Sequence, residues 1–361
     1  MTAGSIVEKL IKMANAMVSW LPGGLGMAGV LACGLFGAIS GSTVATVVAL
    51  GGFMIPALLE NGYPEKYSIG LMTTSPNLGV IIPPSIGMIL YSMISNVSLE
   101  GLFLTGFLPG ILIMFSSCIY TFFVFRKRVE IVRKPVPKPL ELLGVLKEGF
   151  WSLMLPVIIF GGIFSGAFTA NEAAVVACVY AFIVELFIHR SMKLSAVKKI
   201  TVNSAVTSAT LLIIVAGATC FGRLLTLENI PGKITETVLG AIDSPVVFLL
   251  AMNLLLLVVG MFMDIISATM ILGPVFLPML DAFGINWMHF GLIMTVNLAI
   301  GYCTPPMGVS LYITGAIANR DIIYVSNAVI PFLIIQLGVL FFLTYMPDAV
   351  LWLPTVMGFV K

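Results

Sequence analysis

Apolar stretches, most of them long enough to cross a bilayer, alternate along the chain with short polar connections. A helix needs about 20 apolar residues to span the hydrocarbon core. Two amphipathic segments, 5–18 and 231–242, are predicted to lie at the membrane interface as arm helices. Single spans are predicted over 103–125, 148–168, 171–189, 203–226 and 324–346.

Two long stretches and two interrupted spans depart from this pattern. The long stretches cover 22–61 and 245–283, with the polar islands "GAISGST" and "GMFMDIISAT" at their centres. The interrupted spans cover 66–97 and 287–318, and each contains a Pro-Pro pair. Because hydrocarbon offers the backbone no hydrogen-bond partner, a helix break at membrane depth must be packed in protein or line a wet cavity. The four breaks therefore mark the candidate functional region.

The two halves of the chain repeat each other. A shift of 222 residues, without a gap, gives ten identities in the 35 positions from 50 to 84, where roughly two to four are expected by chance from so biased a composition. The shift pairs Pro83-Pro84 with Pro305-Pro306 and Ser42 with Asp264. Each long stretch returns the chain to the side it left, and five crossings separate the two stretches. This odd number predicts an inverted repeat, as in secondary transporters.

The distribution of Lys and Arg predicts which side is cytoplasmic. Two basic loops fall on one side, and the positive-inside rule makes that side the cytoplasm. The basic residues are Arg126, Lys127, Arg128, Arg133, Lys134 and Lys138 in the first loop and Arg190, Lys193, Lys198 and Lys199 in the second. The first long stretch then opens from the cytoplasm and the second from outside.

Composition excludes a soluble protein, since 59% of the 361 residues are hydrophobic and 9% are charged. The five cysteines lack paired or metal-ligand spacing, and His189 and His289 stand alone. No nucleophile–base constellation or Walker motif is present, so no catalytic residue is assigned and an enzyme is not expected. An intramembrane hydrolase stays the weaker alternative, because it needs a second catalytic residue facing Asp264. We expect a multi-pass protein of the bilayer with no nucleic-acid partner.

The breaks carry oxygen ligands and free helix ends. A Pro-Pro pair removes two amide donors and leaves carbonyls of the preceding turn without partners. Such oxygens suit a hard cation such as Na+, and the half-helix N-termini favour an anionic substrate. Hydroxyls come from Ser40, Ser42, Thr43 and Thr304. Close backbone approach is permitted by Gly37, Gly41, Gly79, Gly260 and Gly301. Tight helix packing is the alternative interpretation of these small residues.

Few ionisable residues lie inside the predicted spans. Asp264 is costly at membrane depth and is therefore a functional candidate, either beside a cation site or at the tip of a hairpin. Arg223 is a candidate for drawing substrate carboxylates to the outer mouth, although a snorkelling anchor explains it equally well. Glu172 is interpreted as a solvated loop residue.

Several long motifs resemble the large membrane subunit (M, or DctM-like) of TRAP transporters, the tripartite ATP-independent periplasmic family, over nearly the whole chain. They are "LPGGLGMAGVLACGLFGAISGSTVA", "YPEKYSIGLMTTSPNLGVIIPPS", "LTLENIP" and "NLAIGYCTPPMG". The resemblance implies an all-α, elevator-type importer in the bacterial inner membrane, with two re-entrant hairpins, two interrupted helices and Na+ as the coupling ion. It also implies a small four-helix membrane subunit, which is fused in some members, and a periplasmic binding protein that delivers an organic acid.

The resemblance also implies the site residues and domains. One sodium site would use Gly37, Ser40, Gly79, Ile82 and Pro84. The other would use Gly260, Gly301, Thr304 and Met307. The candidates for lining the substrate cavity are Ser42, Thr43, Asn77, Asp264 and Asn297. The domains would be an arm helix at 1–21, transport repeats at 22–126 and 244–346, scaffold helices with the second arm at 127–243, and a tail at 347–361.

Two expectations concern completeness and substrate. The first repeat lacks the three spans that precede the arm helix of the second, so we expect the sequence to be a fragment of a longer or fused chain. The leading substrate classes are sialic-acid-like sugar acids and C4-dicarboxylates. A stand-alone ion-coupled dicarboxylate symporter, which works without a binding protein, is the alternative within transport.

Overall fold

A computed structural model describes residues 6–127, 136, 139–192 and 194–360. The described residues form helices and connecting turns, and nine helical segments among them are long and apolar enough to cross a membrane. The first half contains α1 (Ile6–Val18), α2 (Gly24–Ser40), α3 (Thr43–Thr46), α4 (Gly52–Glu60), α5 (Glu65–Thr74), α6 (Leu78–Ile81), α7 (Ile86–Ser95), α8 (Leu99–Phe125) and α9 (Pro139–Phe164). The second contains α10 (Ala170–Ile183), α11 (Leu194–Leu227), α12 (Ile230–Ala241), α13 (Pro245–Phe262), α14 (Ile265–Ala282), α15 (Trp287–Gly301), α16 (Val309–Ala318), α17 (Ile322–Tyr345) and α18 (Pro347–Val356).

Helix boundaries differ from the predicted ones at several places. Each long apolar stretch is divided by a break into two helical segments. Helices α9 and α11 begin at Pro139 and Leu194, whereas their predicted starts are 148 and 203, about two and a half helical turns later. The region predicted as a tail contains α18, which packs against α8. Five basic residues used for the side assignment lie outside the described residues: Arg128, Arg133, Lys134, Lys138 and Lys193.

The internal repeat is visible in the backbone. The shift of 222 residues relates Gly62 to Gly284, both with positive φ, and relates two cis peptide bonds, one in each Pro-Pro pair. After the Pro-Pro pairs the shift becomes 223, because α7 starts two residues after its pair and α16 starts three residues after its own. Asn96 and Asn319, the left-handed C-cap residues of α7 and α16, are related by the shift of 223.

Reciprocal packing joins the two repeats. In the second repeat α14 packs against α7 of the first. In the first, a π-helical turn, Val47–Gly51, which continues α3 packs against α16 of the second. A Cβ added to Gly273 would lie 3.2 Å from Ile94, and one added to Gly51 would lie 3.5 Å from Ile317. The matching contacts mean that each broken pair of helices supports the other repeat.

The connecting helices α9 to α11 are more exposed than the repeats. In the most apolar window of the α11 span, 11% of the residues are buried, against 67% in the span that contains α5 to α7. Large apolar side chains such as Ile213 and Leu212 point away from the chain. A bilayer or another membrane protein is the environment that such a surface requires.

Candidate functional site

The break in each long stretch is built around an N-capping side chain. Ser42 caps α3 by accepting a hydrogen bond from the Ala45 amide at 3.4 Å. Asp264 caps α14 by accepting one from the Ser267 amide at 3.0 Å. Both the caps and their donors are related by the same shift of 222. A short oxygen acceptor is needed here because the first amides of a helix have no partner within it.

At the first break, the backbone of α2 meets the backbone of the interrupted helix. A Cβ on Gly37 would lie 2.8 Å from the Gly79 Cα, so neither residue has room for a side chain. Gly41 has a φ of 62° and sits against the Pro84 carbonyl oxygen, 2.6 Å from where its Cβ would be. The Ser42 carbonyl oxygen lies 2.8 Å from a Cβ placed on Gly79. The carbonyl oxygens of Ser42, in the break after α2, and of Pro84, in the interrupted helix, thus face the same contact between these two segments. This contact is called the first junction, and the corresponding contact of α13 with α15 is called the second.

Hydroxyl groups extend this junction. The Ser40 and Thr46 hydroxyls are 3.1 Å apart, and the Thr46 hydroxyl donates to the Ser42 carbonyl at 2.7 Å. Thr46 is fully buried and was not among the residues predicted from the sequence. Its position four residues after the capping Ser42, one helical turn, is the signal that indicates it. Of the predicted set, Gly37, Ser40, Gly79 and Pro84 meet at the junction, and Ile82 is the buried, extended residue that ends α6.

At the second break, α13 and α15 touch through glycine. A Cβ on Gly301 would lie 2.6 Å from the Gly260 Cα. Thr304 follows α15, and its hydroxyl donates to the Ile300 carbonyl at 2.8 Å, which leaves the oxygen lone pairs available. Met307 is 51% exposed, and its thioether is a soft ligand, so only its backbone carbonyl is suited to bind a hard cation. The structure brings Gly260 and Gly301 together and places Thr304 in the turn after them.

Tyr302 joins the second break to the cap at Asp264, and the sequence did not indicate it. The Tyr302 hydroxyl accepts a hydrogen bond from the Ile265 amide at 2.9 Å, directly beside the capping carboxylate. The Tyr302 carbonyl accepts from the Ser310 amide at 3.0 Å and so fixes the turn before α16. Tyr302 therefore connects the helix pair, the interrupted helix and the helix that follows it.

The candidate substrate residues fall into two groups. Ser42 and Asp264 are half-buried at the two caps, and the Thr43 hydroxyl beside them is buried without a hydrogen-bond partner among the described residues. Asn77 and Asn297 are fully buried in polar networks. The first group lies at the breaks between the paired helices, where Ser42 and Asp264 are half-buried and Thr43 is buried.

The networks around the two asparagines reach distant helices. The Asn77 amide donates to the Gln336 side chain on α17 at 2.9 Å, and Gln336 donates to the Thr74 carbonyl at 3.0 Å. The Asn297 amide donates to Asn253 on α13, which donates to the Thr344 hydroxyl at 3.0 Å. These contacts stabilise the interrupted helices against α13 and α17.

Arg223 lines a cavity of about 770 Å³ between α11, α12, α14 and α7. Its side chain is exposed, while most of the cavity wall is apolar and includes Met270 and Pro274. This cavity lies beside α14, the second helix of the pair α13–α14. That Arg223 draws substrate carboxylates to an outer mouth stays a prediction from the sequence.

Comparison with known proteins gives one consistent family. Residues 1–349 match the family model of the tripartite ATP-independent periplasmic transporter, DctM component. The chain is 40% identical to the C4-dicarboxylate TRAP transporter large permease protein DctM of Pseudomonas aeruginosa, covering 99% of this chain and 84% of the relative. It is 31% identical to the sialic acid TRAP transporter permease protein SiaT of Haemophilus influenzae, covering 99% and 58%.

Two further matches bear on length and fold. An isethionate TRAP transporter permease protein, DctMQ, of Oleidesulfovibrio alaskensis is 37% identical, and the chain spans 55% of its length. The crystal structure of the Alcanivorax borkumensis YdaH transporter matches with a TM-score of 0.65 and 16% identity, covering 97% of this chain and 86% of that one. At this identity the likeness concerns the fold alone.

Proposed function

The chain belongs to the DctM-component family of tripartite ATP-independent periplasmic transporters, and we propose that it is the large membrane subunit of a Na+-coupled importer of a carboxylate-bearing organic acid. Proteins of this family are multi-pass membrane permeases rather than enzymes. The coupling ion, the substrate, the partners and the transport motion are the proposed parts.

The observation that carries the proposal is the meeting of each helix break with a Pro-Pro break. Gly37 against Gly79 and Gly260 against Gly301 bring backbone carbonyls of two interrupted segments together, without side chains between them. Na+ takes oxygen ligands, and interrupted helices provide them at the midplane of secondary transporters. Each junction is accordingly proposed as one Na+ site, with Ser40 and Thr304 adding hydroxyls.

The substrate is proposed to bind between the two caps. The α3–α4 segment and α14 start at Ser42 and Asp264, and helix N-termini favour carboxylates. The relatives are named as transporters of C4-dicarboxylates, sialic acid and isethionate. Each of these compounds is the anion of an organic acid. The 40% identity to a C4-dicarboxylate permease supports that class first.

The two repeats are proposed to move together as a transport domain relative to α9–α12. Reciprocal packing of α14 on α7 and of Val47–Gly51 on α16 supports one rigid unit. The connecting spans α9 to α11 are mostly exposed, and α11 and α12 contact that unit through α14. In this elevator-type motion the two broken pairs act as re-entrant hairpins that open from opposite faces. A small membrane subunit is proposed to cover the exposed connecting helices, and a periplasmic binding protein is proposed to deliver the acid.

Uptake into liposomes tests the proposal. The permease, with its small membrane subunit, is reconstituted, and accumulation of a labelled C4-dicarboxylate and of labelled sialic acid is measured. We expect uptake only with an inward Na+ gradient and added binding protein. Uptake without the binding protein would indicate a stand-alone symporter. Uptake that is unchanged when choline replaces Na+ would refute the coupling.

A further inference from the structure

The cavity that Arg223 lines has two chemically different ends. Its volume is about 770 Å³, and it lies between α7, α11, α12 and α14. Toward the middle of α11 its wall is apolar and includes Val215, Ala218 and Met270, which pack together. Toward the end of α11 the wall is polar and includes Arg223 and Thr226. The cavity is therefore amphipathic along the axis of α11.

The cavity opens toward the surroundings of the membrane spans. Met93 on α7 lines it and is 64% exposed, and Thr219 on α11 lines it and is exposed as well. Leu224 and Leu227, beside the polar end, are exposed apolar side chains of the same helix. Because such side chains in a membrane span face lipid or another membrane protein, the cavity is reached from the hydrocarbon of the bilayer.

Arg223 brings a positive charge to the polar end of the cavity. Its side chain is exposed, and within the part of the chain that the structure describes its guanidinium takes part in no ion pair or hydrogen bond. Lys233, which follows the cavity residue Gly232 on α12, is exposed and adds a second cation at this end. A guanidinium offers five N–H donors in a fixed fork, a geometry that suits phosphate oxygens.

The two ends together restrict what can occupy the cavity. A small water-soluble anion would pair with Arg223 but would leave the apolar wall at Val215 and Met270 uncovered. An apolar helix of a partner protein would cover that wall but would remove the guanidinium from water without a counter-charge, which is costly. A molecule with an anionic head and an apolar chain satisfies both ends, and a bilayer supplies such molecules.

We propose that this cavity binds an anionic phospholipid, with the phosphate at Arg223 and one acyl chain along Val215 and Met270. Lys198 and Lys199 near the start of α11 belong to the segment predicted to be cytoplasmic, and Arg223 lies near the other end of this helix. The lipid therefore comes from the outer leaflet.

The bound lipid lies where the connecting helices meet the two repeats. Helices α11 and α12 contact that unit through α14, and the cavity lies along this contact. In the elevator-type motion of the proposed function, this is the contact that slides, so the lipid separates two moving surfaces. Binding of the lipid itself depends neither on Na+ nor on that motion.

The headgroup is tested by lipid titration. Purified permease with its small membrane subunit, in detergent without Na+ or substrate, receives dioleoylphosphatidylglycerol or dioleoylphosphatidylcholine. The two lipids share their acyl chains and phosphate, but only the first carries a net negative charge. We expect the first lipid to raise the thermal unfolding midpoint in a saturable way and at lower concentration than the second.

Two arginine variants locate the charge. Arg223→Gln should raise the half-effective phosphatidylglycerol concentration about tenfold or more, because one charge-assisted hydrogen bond is lost. Arg320→Gln removes a guanidinium outside the cavity and should leave that concentration at the wild-type value. Equal effects of the two lipids, or equal effects of the two variants, would overturn the headgroup site.

Two threonines of α11 test the acyl chain. Thr219 lines the cavity, whereas Thr207 lies outside it; both are exposed, and the hydroxyl of each donates to the carbonyl four residues earlier. Thr219→Trp places a ring where the chain would lie, so it should abolish the stabilisation by phosphatidylglycerol. Thr207→Trp, the matched control, should retain it, and retention in both variants would overturn the chain position.

A phosphatidylglycerol with a diazirine in its acyl chain gives a direct readout on the same complex. After illumination, peptide mass spectrometry should find the label on α11 and α14, and Thr219→Trp should remove it. A complex without label on these helices would overturn the site. If phosphatidylglycerol has no effect and succinate instead stabilises the wild type through Arg223, the cavity is an entrance for substrate and the lipid site is wrong. Failure of Na+-driven uptake would refute the proposed function without changing any of these binding results.

Discussion

Gly301→Ala tests the close contact at the second break. The added Cβ would lie 2.6 Å from the Gly260 Cα and 3.0 Å from its carbonyl oxygen. Non-bonded carbon atoms prefer about 3.5–4.0 Å, so α13 and α15 must separate by about 1 Å. The atoms in the way are backbone atoms, which cannot rotate aside as a flexible side chain does. The separation also displaces the carbonyl oxygens proposed to bind Na+.

The cost of this overpacking is about 1–3 kcal/mol. Replacing Gly by Ala in a helix also gains up to about 1 kcal/mol from helix propensity, so a matched control is needed. Gly338→Ala on α17 provides it, because an added Cβ there meets no atom within 4 Å. The difference between the two variants isolates the clash, and Gly301→Ala should unfold several degrees below Gly338→Ala.

Both variants are compared with wild type by thermal unfolding in detergent and by Na+-dependent uptake. We expect Gly301→Ala to have the lower unfolding midpoint and to require more Na+ for half-maximal uptake, while Gly338→Ala matches or exceeds the wild-type midpoint. Equal midpoints for the two variants would refute the tight α13–α15 contact. A lower midpoint with unchanged Na+ dependence would retain the contact and refute its role in ion binding.

Three further predictions concern individual contacts, each measured by the unfolding midpoint. Asn77→Leu should cost about 1–3 kcal/mol because it leaves the buried Gln336 side chain without its partner, and Gln336→Leu in the same protein should recover part of the loss; additive losses would contradict the network. Asp264→Ala should cost about 1 kcal/mol and Asp264→Asn much less, since Asn also caps helices; equal losses would exclude the cap. Arg320→Gln removes an exposed ion pair with Glu65, so its small effect should vanish at high salt, and an effect that persists there would contradict simple screening.

The sequence predicted the breaks because the residues that make them act locally. Gly41 adopts positive φ, Ser42 and Asp264 cap the following helices, and the Pro-Pro pairs end the preceding ones. The order of elements and the repeat follow from these residues and from the spacing of apolar runs. The family motifs are confirmed by the match over residues 1–349.

Hydrogen bonds between residues that are far apart in the sequence could not be predicted in the same way. Asn77 and Gln336 are 259 residues apart, and no local pattern relates them. Tyr302 reaches the Ile265 amide only because α14 and α15 pack together. Glu185 is 2% exposed and lies in a π-helical turn, Val184–Ile188, which apolar periodicity does not indicate. These features depend on packing and backbone irregularity rather than on composition or periodicity.

The central claim is that the two junctions of broken helices bind the coupling ion. The most direct measurement is the Na+ dependence of binding-protein-dependent uptake by Ser40→Ala and Thr304→Ala. Ser116→Ala on α8 is the matched control for Thr304→Ala. The hydroxyls of Ser116 and Thr304 each donate to the carbonyl four residues earlier in the chain. We predict that both junction variants shift the half-saturating Na+ concentration upward and that the control does not. Wild-type Na+ dependence in both junction variants would contradict the claim.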